Sequence, residues 1–207
     1  RDRYETEAMA ELFADSGYEI KEFTEVADVY VINTCSVTNM GDRKSRQIIR
    51  RAKKLNPNAV IAVTGCYAQT APDEVLAIEG VNLVLGTKDR KNIVTLVEEL
   101  NTESNINHVS DIMSNHEFEE LQIKQYSNRT RAFIKIQEGC NQFCSYCIIP
   151  YARGPVRSRA KDDVVREIKE LAHNGFKEII LVGIHVASYG VDLGDTTLES
   201  LIMDVDK

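Results

Sequence analysis

The sequence lacks a long apolar run, a leader-like start and an excess of basic charge. Its 207 residues contain no apolar stretch as long as the ~18 residues of a membrane-spanning helix. The first residues, RDRYETEAMAE, are charged and contain no apolar core typical of a secretory signal peptide. We therefore expect a soluble, cytoplasmic protein that has no membrane partner.

The charge balance excludes an overall basic field for nucleic acid. Lys and Arg number 25 against 32 Asp and Glu, which gives a formal net charge of −7. A surface for nucleic acid would therefore have to be a local basic patch. The cysteines number five. An odd number in a chain without an export signal favours metal or redox chemistry over disulfides.

Apolar strands and helices alternate along the first part of the chain. Strand patterns lie at 29–33, 59–66 and 82–86, and helical patterns lie at 4–16, 39–55, 73–78 and 90–100. Continuous apolar strands between helices are typical of a parallel α/β sheet. We predict a flavodoxin- or Rossmann-like parallel-sheet domain over residues 1–100.

Residues 101–130 are rich in Asn, Ser, Glu and Thr, and we interpret them as a linker with a short strand near 108–112. A strand at 132–136, a helix at 162–173 and a strand at 178–184 then follow the order of a (β/α) barrel. Residues 131–207 have room for about two of the eight βα pairs of a full barrel. We therefore expect a truncated partial barrel and a chain that is a fragment of a longer protein.

Three cysteines fall within eight residues of the stretch EGCNQFCSYC, at Cys140, Cys144 and Cys147. On a loop after a strand, this spacing lets three thiolates converge on one iron–sulfur or zinc centre. Three protein ligands leave one metal position open, as in catalytic sites. The structural alternative is a zinc knuckle that takes its fourth ligand from elsewhere, such as His185.

The spacing Cys-x3-Cys-x2-Cys, with Tyr146 before the last cysteine, resembles the signature of radical S-adenosylmethionine (SAM) enzymes. The resemblance implies a [4Fe–4S] cluster on these cysteines, whose open iron is chelated by SAM. By position, it also implies SAM contacts after the second barrel strand, although the Gly-Gly-Glu-like element usual there is lacking. The SAM-binding candidates are Tyr146, Gly183, His185, Ser188 and Tyr189.

Four further stretches resemble the methylthiotransferases within that superfamily. They are YETEAM, VINTCSVTNMGDRKSRQIIRRAKK, VTGCYAQ and PYARGPVRSR. These enzymes insert sulfur and a methyl group at an unactivated C–H bond. The resemblance implies an auxiliary [4Fe–4S] cluster on three cysteines, of which Cys35 and Cys66 match two, each at the carboxyl end of a predicted parallel strand. The third has no counterpart here, so we expect this fragment alone to be inactive; inert buried thiols are the alternative for both residues.

The stretches CSVTNMGDRKSRQIIRRA and LVGIHVASYG most resemble the subgroup that acts on N6-threonylcarbamoyladenosine beside the tRNA anticodon. The resemblance implies hydrogen removal from C2 of the adenine, sulfur from the auxiliary cluster and a methyl group from a second SAM. The implied partners are the tRNA anticodon loop and an electron donor such as flavodoxin or ferredoxin.

Three other functional interpretations of the sequence remain open. Two are methylthiotransferases that act on isopentenyladenosine in tRNA or on an aspartate of a ribosomal protein. The third, of another class, is a non-catalytic zinc-binding interaction module.

Two groups of basic residues are candidates for phosphate or carboxylate binding. On the predicted helix 39–55, one face carries Arg43, Arg46, Arg50 and Lys54, which suit tRNA phosphates. A solvated helix face is the alternative. Arg153, Arg157 and Arg159 follow the cysteine stretch, and we expect them to face SAM or tRNA, or to lie on the surface.

Overall fold

The computed structural model describes residues 2–35, 39–101, 103–121 and 131–205. The helices are α1 Asp2–Asp15, α2 Asn39–Leu55, α3 Cys66–Thr70, α4 Pro72–Leu76, α5 Ile93–Glu98, α6 Ile149–Arg153, α7 Lys161–His173 and α8 Leu198–Val205. The strands are β1 Val29–Thr34, β2 Val60–Gly65, β3 Leu83–Leu85, β4 Ile106–His108, β5 Arg131–Glu138, β6 Arg157–Ser158 and β7 Glu178–Gly183. The predicted alternation of strands and helices is confirmed.

The first sheet is parallel throughout and has the order β1-β2-β3-β4. Both faces are covered because the strands are apolar on both sides. Ile32, Ile61 and Val63 face Ile49 of α2 and Val75 of α4. The alternate strand residues face α1 and α5 through Leu83, Leu85, Met9, Phe13 and Ile93. This α/β/α arrangement is the parallel-sheet fold that the sequence predicts, and we call it the first unit.

The second sheet has the order β6-β5-β7, with β5 antiparallel to β6 and parallel to β7. One face of β5 is apolar and packs on α7 and α8, as alternation of side chains along a strand requires. Its core contains Ile134, Ile136, Val164, Ile168 and Leu201. The β5-α7-β7 order confirms the start of a (β/α) architecture, and we call residues from 131 onward the second unit. Strand β6, with only two residues, had no signal in the sequence.

Residues 103–121, expected to belong to a linker, pack against both units. Strand β4 extends the first sheet beside β3, which moves the strand expected near 108–112 to 106–108. Farther along, Ile112 and Leu121 are buried. The remainder of the expected linker, residues 122–130, lies outside the described residues, and the predicted domain limits stay a prediction.

The two units meet where α3 of the first packs against α6 of the second. A hydrogen bond from Thr87 Oγ1 to the carbonyl of Ala152, 2.8 Å long, joins them beside this contact. Among the helices of the described residues, none has the length and apolar character needed to cross a membrane.

Candidate functional site

The loop between β5 and α6 carries the predicted cysteine triad. At its start, the amide of Cys140 donates a hydrogen bond of 3.0 Å to the carbonyl of Gly154. At its end, the amide of Cys147 donates one of 2.9 Å to the carbonyl of Cys144, which closes a turn. The start of the loop is therefore held beside Gly154 at the carboxyl end of β5, as the sequence predicts, and its last residues fold into a turn.

Gly139 lets the loop leave β5. Its φ is +74°, and an added Cβ atom would lie 1.7 Å from the carbonyl oxygen of Pro155. The left-handed conformation and the close backbone approach both require glycine here. Sequence reasoning missed this residue, although its place directly before Cys140 was a usable signal.

The donor set of the loop suits a thiolate-bound cluster. Cys140 and Cys147 are half-buried and Cys144 is exposed, and all three are free thiols. Within the described ranges, no three side chains of His, Cys, Asp or Glu are gathered closely enough to hold a metal ion. Three soft sulfur donors on one loop fit an iron–sulfur group by ligand type and spacing.

A buried glutamine joins this loop to the segment after β7. The Gln137 amide donates two hydrogen bonds of 2.8 Å to the carbonyls of Glu138 and Gly139. Its oxygen accepts the His185 amide at 2.8 Å, and an added Cβ at Gly183 would approach that oxygen to 2.9 Å. The structure therefore brings Gly183 and His185 close to the start of the cysteine loop. Gln137 was missed because a polar residue in a strand has no distinct sequence pattern.

The remaining SAM-binding candidates differ in exposure. His185 Nδ1 lies 2.6 Å from the Ser188 hydroxyl. Tyr146 is 91% exposed. By contrast, Tyr189 is buried in the core of the second unit, and its hydroxyl donates to the Arg159 carbonyl at 2.9 Å. Burial raises the pKa of Tyr189 to about 12, so its hydroxyl keeps its proton and acts as a structural donor.

The carboxyl edge of the first sheet holds the other two cysteines. Thr34 and Gly65 are paired in register at the ends of β1 and β2, so Cys35 and Cys66 follow at matching positions. Cys66 is 2% exposed, and Cys35 is half-buried. The predicted placement of both residues at one edge is confirmed. They supply two thiols, one fewer than the three ligands that the resemblance implies.

The basic face of α2 is partly engaged within the chain. Arg43, Arg50 and Lys54 are exposed. Arg46 is half-buried; its Nη1 donates to the Tyr67 hydroxyl at 2.8 Å, and its guanidinium lies 5.7 Å from the centre of that ring. Three of the four predicted residues therefore remain available to a ligand from solution. The fourth, Arg46, binds Tyr67 of α3 beside Cys66.

The sequence left open whether the three arginines after the cysteine loop face SAM or tRNA or lie on the surface, and the structure buries all three. Arg153, Arg157 and Arg159 are at most 3% exposed. Arg159 forms an ion pair with Glu167, and Arg157 lies 3.5 Å from Glu138. Their carboxylate partners belong to other helices and strands, so a local sequence pattern does not reveal this burial.

Arg153 connects the two cysteine-bearing edges. Its Nε donates to the Cys66 sulfur at 3.1 Å. Its Nη1 donates to Glu138 at 2.7 Å, and its Nη2 donates to Glu5 at 3.1 Å. Glu138 is the last residue of β5, two residues before Cys140. One guanidinium therefore contacts the first unit's edge and the base of the second unit's loop.

Arg153 belongs to a buried ionic cluster, whose central members are Glu5, Arg90, Lys135, Glu138 and Arg153. The ion-pair distances include 2.7 Å from Arg90 to Glu5 and 3.3 Å from Lys135 to Glu138. Burial alone would raise the pKa of both carboxyls, but the three cations hold each pKa well below its usual value. Both carboxylates are therefore ionised at neutral pH, and each is neutralised by more than one cation.

Comparison with known protein families matches two regions of the chain. Residues 1–86 match UPF0004, described as an uncharacterized protein family. Residues 134–203 match the radical SAM superfamily. A solved radical S-adenosylmethionine methyltransferase, TsrM from Kitasatospora setae, has the same fold with a TM-score of 0.57 at 17% identity. The match covers 87% of this chain and 44% of that one. The site and these matches define a radical SAM protein.

The curated relatives that match this chain are tRNA methylthiotransferases, which form one group of radical SAM proteins. The chain is 52% identical over 204 residues to the threonylcarbamoyladenosine tRNA methylthiotransferase MtaB of Bacillus subtilis. The aligned region covers 98% of the chain and 45% of that protein. It is 42% identical over 193 residues to MtaB of Aquifex aeolicus, covering 93% and 47%. A tRNA-2-methylthio-N(6)-dimethylallyladenosine synthase of Dictyoglomus thermophilum is 34% identical, covering 98% and 47%. The chain belongs to the radical SAM methylthiotransferase family and spans about half the length of these relatives.

Proposed function

We propose that the protein containing this chain is a radical SAM tRNA methylthiotransferase that acts at C2 of N6-threonylcarbamoyladenosine beside the anticodon. The higher identity to two MtaB relatives than to the dimethylallyladenosine synthase favours this nucleoside. We assign residues 1–100 and 131–207 to its two domains, in line with the separate family matches. A tRNA substrate implies a cytoplasmic location.

The observation that carries the proposal is the meeting of two cysteine-bearing sheet edges. Cys66 begins α3, the cysteine loop ends at α6, and these two helices pack together. A reaction that needs a radical source and a sulfur source at one substrate atom requires two such centres close to each other. A zinc-binding module would not need the second edge.

In this proposal Cys140, Cys144 and Cys147 hold a [4Fe–4S] cluster with SAM on the open iron. Cys35 and Cys66 are two ligands of the auxiliary [4Fe–4S] cluster. When bound, these groups supply the radical and the sulfur, while the chain orients them and excludes water. Gln137 holds the loop that carries the triad against the segment at His185. The electron comes from a donor such as flavodoxin or ferredoxin.

Nucleoside analysis tests the substrate. The whole protein is expressed in a bacterium that lacks its own threonylcarbamoyladenosine methylthiotransferase, and tRNA digests are examined by liquid chromatography and mass spectrometry. We expect the 2-methylthio derivative of threonylcarbamoyladenosine to appear. The corresponding derivative of isopentenyladenosine alone, or a methylthiolated ribosomal-protein aspartate, would instead support one of the other two methylthiotransferase readings.

Anaerobic reconstitution with iron and sulfide tests the first metal site. We expect the wild-type protein to become brown. Cys140→Ala should contain about four fewer irons per chain, because the triad then lacks one of its three cluster ligands. The control is Ser145→Ala in the same exposed loop, which should keep its iron. A colourless wild-type protein that binds one zinc ion would support the interaction-module reading.

A further inference from the structure

We propose that Arg153 is a positioning residue that holds the Cys66 sulfur against the base of the cysteine loop and donates a hydrogen bond to that sulfur in the metal-bound protein. This inference rests on the proposed function, since it concerns the auxiliary centre. It assigns to one buried side chain the task of fixing one centre relative to the other.

The contacts of Arg153 place it between the two sites. Its side chain is 1% exposed, and its Nε lies 3.1 Å from the Cys66 sulfur. On the other side, the 2.7 Å bond to Glu138 ties it to the strand that leads into Cys140. The backbone adds a second connection, because the next residue, Gly154, accepts the Cys140 amide.

The charge of the donor suits a thiolate. A buried neutral thiol needs no cationic partner, because it behaves as a small apolar group. A buried guanidinium directed at sulfur instead stabilises a negative sulfur, as a metal ligand is. This donor is the feature of the structure that fits Cys66 to a metal-bound role.

The ionic cluster does not need this contact for its own neutrality. Glu5 and Glu138 are satisfied by the Nη atoms of Arg153 and also by Arg90 and Lys135. Neither carboxylate needs the Nε–H donor of Arg153, and this donor bonds to the Cys66 sulfur instead. A second buried arginine, Arg157, also lies 3.5 Å from Glu138, but its shortest hydrogen bond, 2.9 Å long, runs to the backbone carbonyl of Arg153.

Hydrogen bonds to ligand sulfur tune the reduction potential of iron–sulfur clusters. A donated hydrogen bond withdraws charge from the sulfur, stabilises the reduced cluster and raises the potential. Replacing Arg153 by lysine keeps the positive charge beside both carboxylates. It removes the planar group that reaches Glu5, Glu138 and Cys66 together.

The experiment isolates the auxiliary centre of the whole protein. Cys140→Ala, Cys144→Ala and Cys147→Ala remove the first site, and the protein is reconstituted anaerobically. Arg153→Lys is then compared with Arg157→Lys by iron content, by the electron paramagnetic resonance spectrum of the reduced cluster and by its midpoint potential. Thermal unfolding of both variants measures any loss of stability.

We expect Arg153→Lys to lower the midpoint potential or to lose iron, and Arg157→Lys to stay close to the parent protein in both. Equal shifts in the two variants would overturn the proposal, since they would reflect a general disturbance of the buried arginines near Glu138 and not the loss of the hydrogen bond to Cys66. An unchanged potential and spectrum in Arg153→Lys, or a parent protein that takes up no iron, would overturn it as well. Nucleoside analysis of the wild type decides the proposed function separately.

Discussion

At the scale of single residues, the cysteine loop depends on an amino acid that has no side chain. Gly139 has a positive φ, and its Cα faces the Pro155 carbonyl at a distance that leaves no space for a methyl group. Gly175, after α7, has a similar positive φ of +90°, but among the described residues no atom lies within 4 Å of an added Cβ. Comparing Gly139 with Gly175 therefore separates the strain of the left-handed conformation from the steric clash of an added methyl group.

We expect Gly175→Ala to cost about 1 kcal/mol, the usual penalty of the left-handed conformation for an L-residue. Gly139→Ala should cost at least ~2 kcal/mol more, because backbone must also move. Urea unfolding of both variants measures the difference. Equal costs would mean that the loop moves away from Pro155 without strain.

At the scale of elements, α2 illustrates how tertiary structure divides a basic helix. Arg46 is held by Tyr67, Arg51 lies over the Phe23 ring at 5.8 Å, and Lys53 donates to the Pro57 carbonyl. The exposed face that remains contains Arg43 and Arg50, seven residues and about two turns apart. These two residues, more than Arg46, are suited to contact phosphates.

The exposed face of α2 should contribute to tRNA affinity through counterion release. We expect Arg43→Glu with Arg50→Glu to weaken tRNA binding and to flatten the slope of log K against log salt by roughly 1.5, which corresponds to two lost phosphate contacts. Lys169→Glu with Lys177→Glu, both exposed on the second unit, gives the same change in net charge and is the control. The same flattening in both proteins would indicate an effect of net charge rather than a binding face.

At the scale of the whole molecule, the sequence predicts what depends on local pattern. The apolar strands place Cys35 and Cys66 at one sheet edge, and the predicted helix 39–55 coincides with α2. Short apolar strands flanked by helices leave few alternatives, so the first unit could be predicted. The three-cysteine loop followed from spacing and from its position after a strand.

The features that link the two units could not be predicted in this way. Arg153 and Glu5 are 148 residues apart, so no periodicity relates them. Glu138 ends an apolar strand, and its ionic partners include Arg90 of the first unit. Two-residue and three-residue strands such as β6 and β4 are too short for a pattern. Pairing across distant chain segments, and not local propensity, determines these parts.

The buried ionic cluster makes the stability of the molecule depend on acid pH. The pKa values of Glu5 and Glu138 are lowered in the folded state, whereas an unfolded glutamate has a pKa of about 4.3. Their contribution to the free energy of unfolding is therefore fully present above that pH. It is lost progressively as the pH falls below about 4.3 toward the folded-state values, because the unfolded chain then binds more protons.

Glu138→Gln should change both the stability and its pH dependence. At pH 7 we expect a loss of roughly 3–5 kcal/mol, because the surrounding cations lose a buried partner. Between about pH 5 and 3, the free energy of unfolding should fall less steeply than in the wild type, because one carboxyl with a lowered pKa is gone. Urea unfolding at several pH values measures both effects.

The control variant, Glu178→Gln, removes a carboxylate that is 51% exposed and paired with Arg131, so it should change the free energy of unfolding by less than ~1 kcal/mol. If Glu138→Gln kept the wild-type acid slope, the cluster would not be the origin of the acid sensitivity.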